Sequence, residues 1–571
     1  MAASLDRFVN KTHVAYLSME MAIRSEMRTY AGGLGVLAGD TARSCADLEL
    51  PMVFVTLVSR MGYFQQRINE RGQQVEEPDF WEPSAYCEPL DAQIAVRIEG
   101  RPVWIRPWLY IQTSPHGHQV PIVLLDTQLD QNTPEDREIT HHLYGGDKAY
   151  RLKQEIVLGI GGIRMLRALG FDIRKYHLNE GHAALLTLDL INRYKVSEDD
   201  RITGELPYDI AKIHERCVFT THTPVASGHD RFPYDLVTRY LPELADLDTL
   251  KQLAGEDQLN MTRLALNTAG YINGVARRHA QTTERMFPGY HIHAVTNGVH
   301  AGQWTHPSFA RLFNANFPQW LHEPEILVRA LQLTDDEVWQ CHQVAKSELI
   351  NKVKAATGVS FDPDIPIIGF ARRMTSYKRP LLLFDDLERL SAIAAKHPLQ
   401  IVMAGKAHPS DTDGKQTIAN LHQIAAQLSG KINCAYIPDY DMDCAKTLVS
   451  GVDVWLNTPL PPFEASGTSG MKAALNGVLN LSVLDGWWIE ACIDGVNGWA
   501  IGKDGDNVAD GDHAAALYAL LENTVLPLYY TDQVKWRDMM RRAITSIAYY
   551  FNSQRMMRRY VTEAYFRNGS W

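Results

Sequence analysis

No run of apolar residues in this sequence is long enough to cross a bilayer. The longest, around residues 156–166, is short and is broken by Arg164. There is no Cys-x-x-Cys pair. The seven cysteines (Cys45, Cys87, Cys217, Cys341, Cys434, Cys444 and Cys492) are scattered and odd in number, which excludes a disulfide scaffold and points to reduced, buried thiols. Neither a His-Glu-x-x-His motif nor a Cys/His cluster occurs, so no metal is expected. Positive charge is in deficit: the formal net charge is -11, which argues against a general nucleic-acid binder and a basic membrane patch. Residues 1–7 carry no apolar signal-peptide core, and no internal repeat or low-complexity stretch stands out. These absences predict a soluble, cytoplasmic protein with neither nucleic acid nor membrane as partner.

What remains is an ordinary globular composition, 45% hydrophobic and 22% charged. A length of 571 residues exceeds one typical core, so two large domains are expected. Apolar runs at residues 13–18 and 53–58 read as strands. Residues 103–112 and 119–125 read as antiparallel additions at a sheet edge. Helices are expected from about 309 to 357, and further strands at 366–371, 399–404, 431–437, 452–456 and 478–484. Alternation of strand and helix in both halves predicts an α/β protein with two doubly wound domains facing across a cleft. Trp81, Trp104 and Trp108 are expected to pack in the core or at an edge rather than stack on sugars.

The most informative stretch runs from Glu464 to Lys472, Glu-Ala-Ser-Gly-Thr-Ser-Gly-Met-Lys, after Pro459, Pro461 and Pro462. Ser466 to Gly470 suits a tight turn whose N–H groups approach a ligand. Thr468 or Ser469 is placed to cap a short helix and Gly477 to end it. Lys472 then lies beside an anion site at the helix start. It reads as a phosphate counter-ion or as a Schiff-base anchor for a phosphorylated aldehyde cofactor; a plain cap with a surface lysine is the other reading. Arg372, Arg373, Lys378 and Arg379 form a second feature: four cations within eight residues at a strand end, an anion site in an acidic protein. Gly32-Gly33-Leu34-Gly35 is a third. Gly33 to Ala38 fits the Gly-x-Gly-x-x-Ala form, although no strand directly precedes it. Two predicted strand ends carry histidines, His182 and His222.

The nine residues from Glu464 to Lys472 closely resemble the pyridoxal-phosphate lysine segment of the α-glucan phosphorylases (glycogen, starch and maltodextrin), which differ mainly around Ser469-Gly470. The resemblance extends from Tyr16 to the tail, through Gly32–Gly35, Leu178-Asn179 with His182, His222-Thr223, Asn297, Arg372 to Arg379 and Gly405-Lys406-Ala407. It implies the two-domain glycosyltransferase-B architecture, with Rossmann-like domains at 1–305 and 306–545 and a helix at 546–571 crossing back to the first. It also implies reversible phosphorolysis of terminal α-1,4-glucosyl units by inorganic phosphate, giving α-glucose-1-phosphate with retention. A homodimer is one assembly it allows.

Residue by residue, the same resemblance implies that Lys472 holds pyridoxal phosphate as an imine. Arg372 faces the cofactor phosphate, approached also by Gly32, Gly33, Thr468 and Ser469, and Tyr440 lies near the ring. Arg373 and Lys378 hold the substrate phosphate. His222, Asn297, Tyr377 and Leu34 contact the transferred glucose, and Glu464, Ala465, Ser466 and Gly467 bind its hydroxyls. His182 supports them from behind. Arg372 stands where many relatives have lysine, Thr375 where muscle-type relatives have histidine, and Asp441 where the family has an arginine that contacts the cofactor phosphate. His300 departs from the family pattern and is given no role. The chain lacks an N-terminal extension suited to phosphorylation, so simple, unregulated activity is expected. A nucleotide-sugar-dependent glucan synthase on the same fold and a non-catalytic glucan-binding scaffold are the alternatives.

Overall fold

Strands at the centre of a parallel sheet are covered on both faces, so their sequences are unbroken apolar runs rather than alternating ones. Two sets of such runs organise the chain. The computed structural model describes residues 3–197, 199, 206–242, 247–505 and 509–566. In the first set, β1 (Val14–Ser18) and β2 (Met52–Leu57) are buried along their whole length. They are joined by β3 (Arg101–Thr113), β4 (Gln119–Asp126), β5 (Lys175–Asn179), β6 (Cys217–Thr220), β7 (Tyr271–Gly274) and β8 (His293–Ala294) in the order β8-β7-β6-β5-β1-β2-β4-β3. Every pairing from β8 to β4 is parallel; β3 joins β4 antiparallel at the edge, as its alternating pattern predicts. Trp81 and Trp108 are buried there and donate to Val58 O and the Asp126 carboxylate.

The second set comprises β9 (Ile367–Ala371), β10 (Gln400–Ala404), β11 (Asn433–Ile437), β12 (Val454–Asn457), β13 (Leu479–Val483) and β14 (Gly498–Ile501). It is wholly parallel, in the order β11-β10-β9-β12-β13-β14. The last strand escapes a reading by pattern, because Gly498-Trp-Ala-Ile is four residues long and opens on glycine. β8 is only two residues long, His293–Ala294. The molecule is therefore a mixed α/β protein built on parallel sheets.

In each sheet the chain leaves the central strand first to one side and later to the other. A crevice opens at that reversal, beyond the carboxyl ends of the strands. It lies between β1 and β5 in the first sheet and between β9 and β12 in the second. The helices that matter for this crevice are α1 (Gly33–Asp47), α2 (Asp335–Thr357), α3 (Met442–Gly451), α4 (Ser469–Ala474) and α5 (Ser553–Tyr560). The tail that includes α5 lies on the first sheet. Ser553 Oγ meets Ser44 Oγ of α1 at 2.6 Å, and Tyr560 and Tyr565 hydroxyls reach Thr220 and His177. Among the described residues no helix is long and apolar enough to cross a membrane, and no group of His, Cys, Asp and Glu is set to hold a metal.

At its opposite end the second sheet is tied by buried charge. Asp453, just before β12, accepts the Ile367 N–H at 2.8 Å and pairs with Lys346 at 2.9 Å and His342 at 3.0 Å, both from α2. All three side chains are almost wholly buried. Removing one member of such a set leaves a charge without a partner in a dry site. Asp453→Ala is expected to lower unfolding stability by about 3–5 kcal/mol in chemical denaturation, against under 1 kcal/mol for a surface aspartate such as Asp130.

Candidate active site

The loops that leave the two crevices converge. The loop after β9 carries Arg372 and Arg373, and the loop after β12 carries Glu464 and leads into α4 with Lys472. Arg379 joins these loops rather than facing a ligand: its guanidinium donates to Thr458 O at 2.9 Å and Pro459 O at 2.6 Å. Of the four clustered cations, three remain for the site. Glu464 organises two of them, accepting from Arg372 at 2.6 Å and Lys378 at 2.5 Å. Burial opposes the charge of Glu464, but Arg372 and Lys378 overcome it and hold the carboxyl down at about 2. Its own loop is fixed from beneath. Asp485 accepts the Glu464 N–H at 2.8 Å, and Ser466 O accepts the Trp487 N–H at 2.8 Å. Burial and the neighbouring Glu464 charge push Asp485 up to about 7, against the pull of the Glu464 and Gly486 N–H groups.

Arg372 is left half-used. Its Nε and Nη1 are buried and have no hydrogen-bond partner, and Thr375 Oγ1 is in the same condition. Buried donors in that state ask for an anion. Lys472 is the second group without an obvious task. Its Nζ lies 3.8 Å from the ring centroid of Trp304, whose indole N–H donates to Asp40 at 2.7 Å. Burial draws the amine down to about 8, with Asp40 pulling the other way. A desolvated lysine near neutrality is a nucleophile toward aldehydes. Each group fits one end of a phosphorylated aldehyde cofactor, the guanidinium its phosphate and the amine its aldehyde.

The first sheet contributes the other wall. Arg373 is open to solvent and lies against Gly32, where an added methyl group would meet its Nη2 at 2.9 Å. Gly33 has open space beside it. The glycine turn is held by Glu20, which accepts the Ala31 and Gly32 N–H groups at 2.6 and 3.0 Å and the Tyr144 hydroxyl at 2.9 Å. The Gly32 N–H is therefore already taken. At the end of β5, Glu180 takes a strained backbone, φ 71°. Its carboxylate gathers Thr223 Oγ1 at 2.9 Å and the His222 N–H at 2.7 Å. His222 Nε2 bonds Asn179 Oδ1 at 2.6 Å, and burial holds the ring well below its ordinary pKa, hence neutral. Asn297 Oδ1 is buried without a partner.

Residues 230–516 match the Phosphorylase family model, described as carbohydrate phosphorylase. The chain is 38% identical to the maltodextrin phosphorylase of Thermococcus litoralis, over 97% of this chain and 70% of the relative. It is 36% identical to the glycogen phosphorylase of Aquifex aeolicus, over 97% and 86%, and 36% identical to that of Mycobacterium tuberculosis, over 97% and 71%. The chain belongs to the carbohydrate phosphorylase family.

Within this family member several sequence expectations change in detail. Neither Thr468 nor Ser469 caps α4 with its side chain. Thr468 has a near-helical backbone, ψ -14°, which turns its hydroxyl from the free N–H groups, and Ser469 Oγ receives the Trp455 indole at 3.0 Å. Gly477, at φ 68°, does end that helix. Asp441 caps α3, accepting the Cys444 N–H at 2.8 Å, so it has a structural task of its own. His300 bonds Asp47 of α1 at 2.7 Å and is likewise structural. His182 Nε2 faces Asp230 at 3.5 Å and is driven down to about 3 by burial, beside Arg151. Tyr377 lies with its ring 4.8 Å from Lys378 Nζ, and Tyr440 is half-buried against the second core. Glu20, Trp304 and Asp485 carry the local framework and were not singled out as site residues. Glu20 and Asp485 are single carboxylates with no spacing signature; only their position next to strand ends marks them.

In protein freed of small molecules, Lys472 is expected to react with a small aldehyde, trapped by cyanoborohydride, with a rate rising through about pH 8. Exposed lysines follow nearer their ordinary pKa of about 10.4. Peptide mapping by mass spectrometry separates the two.

Proposed function

We propose that this enzyme is an α-glucan phosphorylase that transfers terminal α-1,4-glucosyl units to inorganic phosphate, reversibly and with retention, yielding α-glucose-1-phosphate with pyridoxal phosphate as cofactor. The observation that carries the proposal is the pair of unspent groups at the ends of the two loops: the buried amine of Lys472 and the two buried, unpartnered nitrogens of Arg372. Family membership and the names of the relatives support the same reading. In it, residues 1–305 and 306–545 are two doubly wound, Rossmann-like domains of the glycosyltransferase-B type facing across a cleft. Residues 546–571 return to the first domain, the last five lying outside the described residues.

Lys472 would hold the cofactor covalently. Arg372 would take its phosphate, with Gly32, Gly33, Thr468 and Ser469 around it and Tyr440 near the ring. When bound, the cofactor supplies a phosphate group that supports proton transfer by the substrate phosphate. The protein's own groups do the rest. Arg373, open to solvent against the glycine turn, and Lys378 draw in the second phosphate and offset the repulsion between two anions. Asn297, Tyr377, Leu34 and the turn from Glu464 to Gly467 hold the glucosyl unit.

The titration states favour phosphorolysis over hydrolysis. A hydrolase needs a carboxyl kept protonated near the glycosidic oxygen. Glu464, the carboxyl among the site's cations, is ionised down to about 2, and Asp485, raised to about 7, has both oxygens engaged beneath the turn by the Glu464 and Gly486 N–H groups. His222 is neutral, so it orients a hydroxyl and does not donate a proton as imidazolium. The proton for the leaving oxygen then comes from the bound phosphate.

Lys472→Ala is expected to yield folded protein without bound pyridoxal phosphate and without glucose-1-phosphate release; full phosphorolysis by cofactor-free protein would reject the assignment. Arg373→Ala is expected to raise the KM for phosphate by at least about tenfold, the loss of a charge-assisted hydrogen bond of roughly 1.5–3 kcal/mol, with a smaller change in the KM for glucan. Steady-state kinetics with each substrate varied checks this.

A further inference from the structure

Two carboxylates lie five residues apart in one short segment, Asp485 and Glu490, and they reach opposite ways. Asp485 holds the Glu464 turn of the second sheet. Glu490, from the short helix Trp488–Ala491, reaches across to the first. Its oxygens accept the Thr296 hydroxyl at 3.1 and 2.9 Å and the Arg277 N–H at 2.9 Å, with Arg277 Nε at 3.6 Å. The side chain is only 6% exposed, so these bonds form away from competing water. Thr296 immediately precedes Asn297. From the other side Arg555 donates to the carbonyl oxygens of Thr296 and Asn297 at 2.8 and 3.1 Å. The turn that carries Asn297 is thus gripped by a carboxylate from one sheet's connections and a guanidinium from the tail. Asn297 Oδ1, buried with no partner, is the group so positioned.

We infer that Glu490 is a positioning residue for glucan: by holding Thr296 it fixes Asn297 toward the sugar, and it does so from the segment that also fixes Glu464. The two sugar-facing turns, one from each half, are thereby set by a single stretch, 485–490. The inference rests on the reading of Asn297 as a sugar ligand. It separates glucan binding from phosphate binding, because Glu490 bonds the Thr296 turn, whereas Lys378 pairs with Glu464 at the Asp485 end of the stretch.

The test is maltoheptaose affinity, measured by calorimetry on the intact holoenzyme, with the KM for phosphate measured alongside. Glu490→Ala and Thr296→Val are each expected to weaken maltoheptaose binding about tenfold, the size of one charge-assisted bond, and the double variant no further. Glu490→Gln, which keeps one acceptor oxygen, is expected to recover part of the loss. The KM for phosphate stays within about twofold, because those contacts are independent. Unchanged affinity in Glu490→Ala, additive losses in the double variant, or an equal rise in the KM for phosphate would each overturn the inference. If Glu490→Ala fails to fold, Thr296→Val and Glu490→Gln decide alone: both at wild-type affinity rejects it. Wild-type protein that binds no maltoheptaose would instead reject the phosphorylase reading, and this inference with it.

Discussion

Glu464 makes the site possible. Three cations gathered at the end of one strand repel one another, and largely burying two of them, Arg372 and Lys378, raises the cost. One ionised carboxylate, supplied from the next loop, neutralises part of that charge while leaving part of it unspent. Arg372 gives Glu464 a single nitrogen and keeps two buried donors free. Lys378 gives its ammonium at 2.5 Å, and Arg373 gives nothing to Glu464 and stays open. The arrangement is charged for anions before any arrives. That is preorganisation: the two buried donors of Arg372 do not have to shed water when an anion enters.

The same carboxylate explains why the two halves must meet here. Glu464 is held by Asp485 below it, and the partner segment of Asp485 grips the Asn297 turn of the first sheet. Trp304, anchored to α1 through Asp40, covers the Lys472 amine and keeps it dry. A lysine carried by the second sheet's loops is thus buried against a tryptophan placed by the first half. Neither half alone carries a complete site.

Much of this was legible in residue patterns. The parallel strands announced themselves as unbroken apolar runs, because burial on both faces removes the polar positions. The Glu464–Lys472 segment was legible because close backbone approach demands small residues and anchoring demands a lysine. Other features could not be read. β14 is four residues with a leading glycine, too short for a period to show. Arg379 looked like one more anion ligand until its bonds to Thr458 and Pro459 carbonyls placed it as a staple between loops. The Gly32 N–H, on a turn expected to approach a phosphate, is answered by Glu20, a residue twelve positions earlier marked only by its place after a strand end. Spacing in sequence reports what shares an element; it is silent about which charge the fold will lay across a loop.

The central claim is that bound phosphate, and no protein carboxyl, provides the proton that releases the glucan chain. The most direct measurement is product analysis by phosphorus and proton NMR during incubation of the holoenzyme with maltoheptaose, with and without inorganic phosphate, on a sample of known pyridoxal content. The account predicts α-glucose-1-phosphate as the first product, formed only with phosphate present and in proportion to cofactor content. Free glucose released without phosphate, or a β-configured phosphate ester, would contradict it.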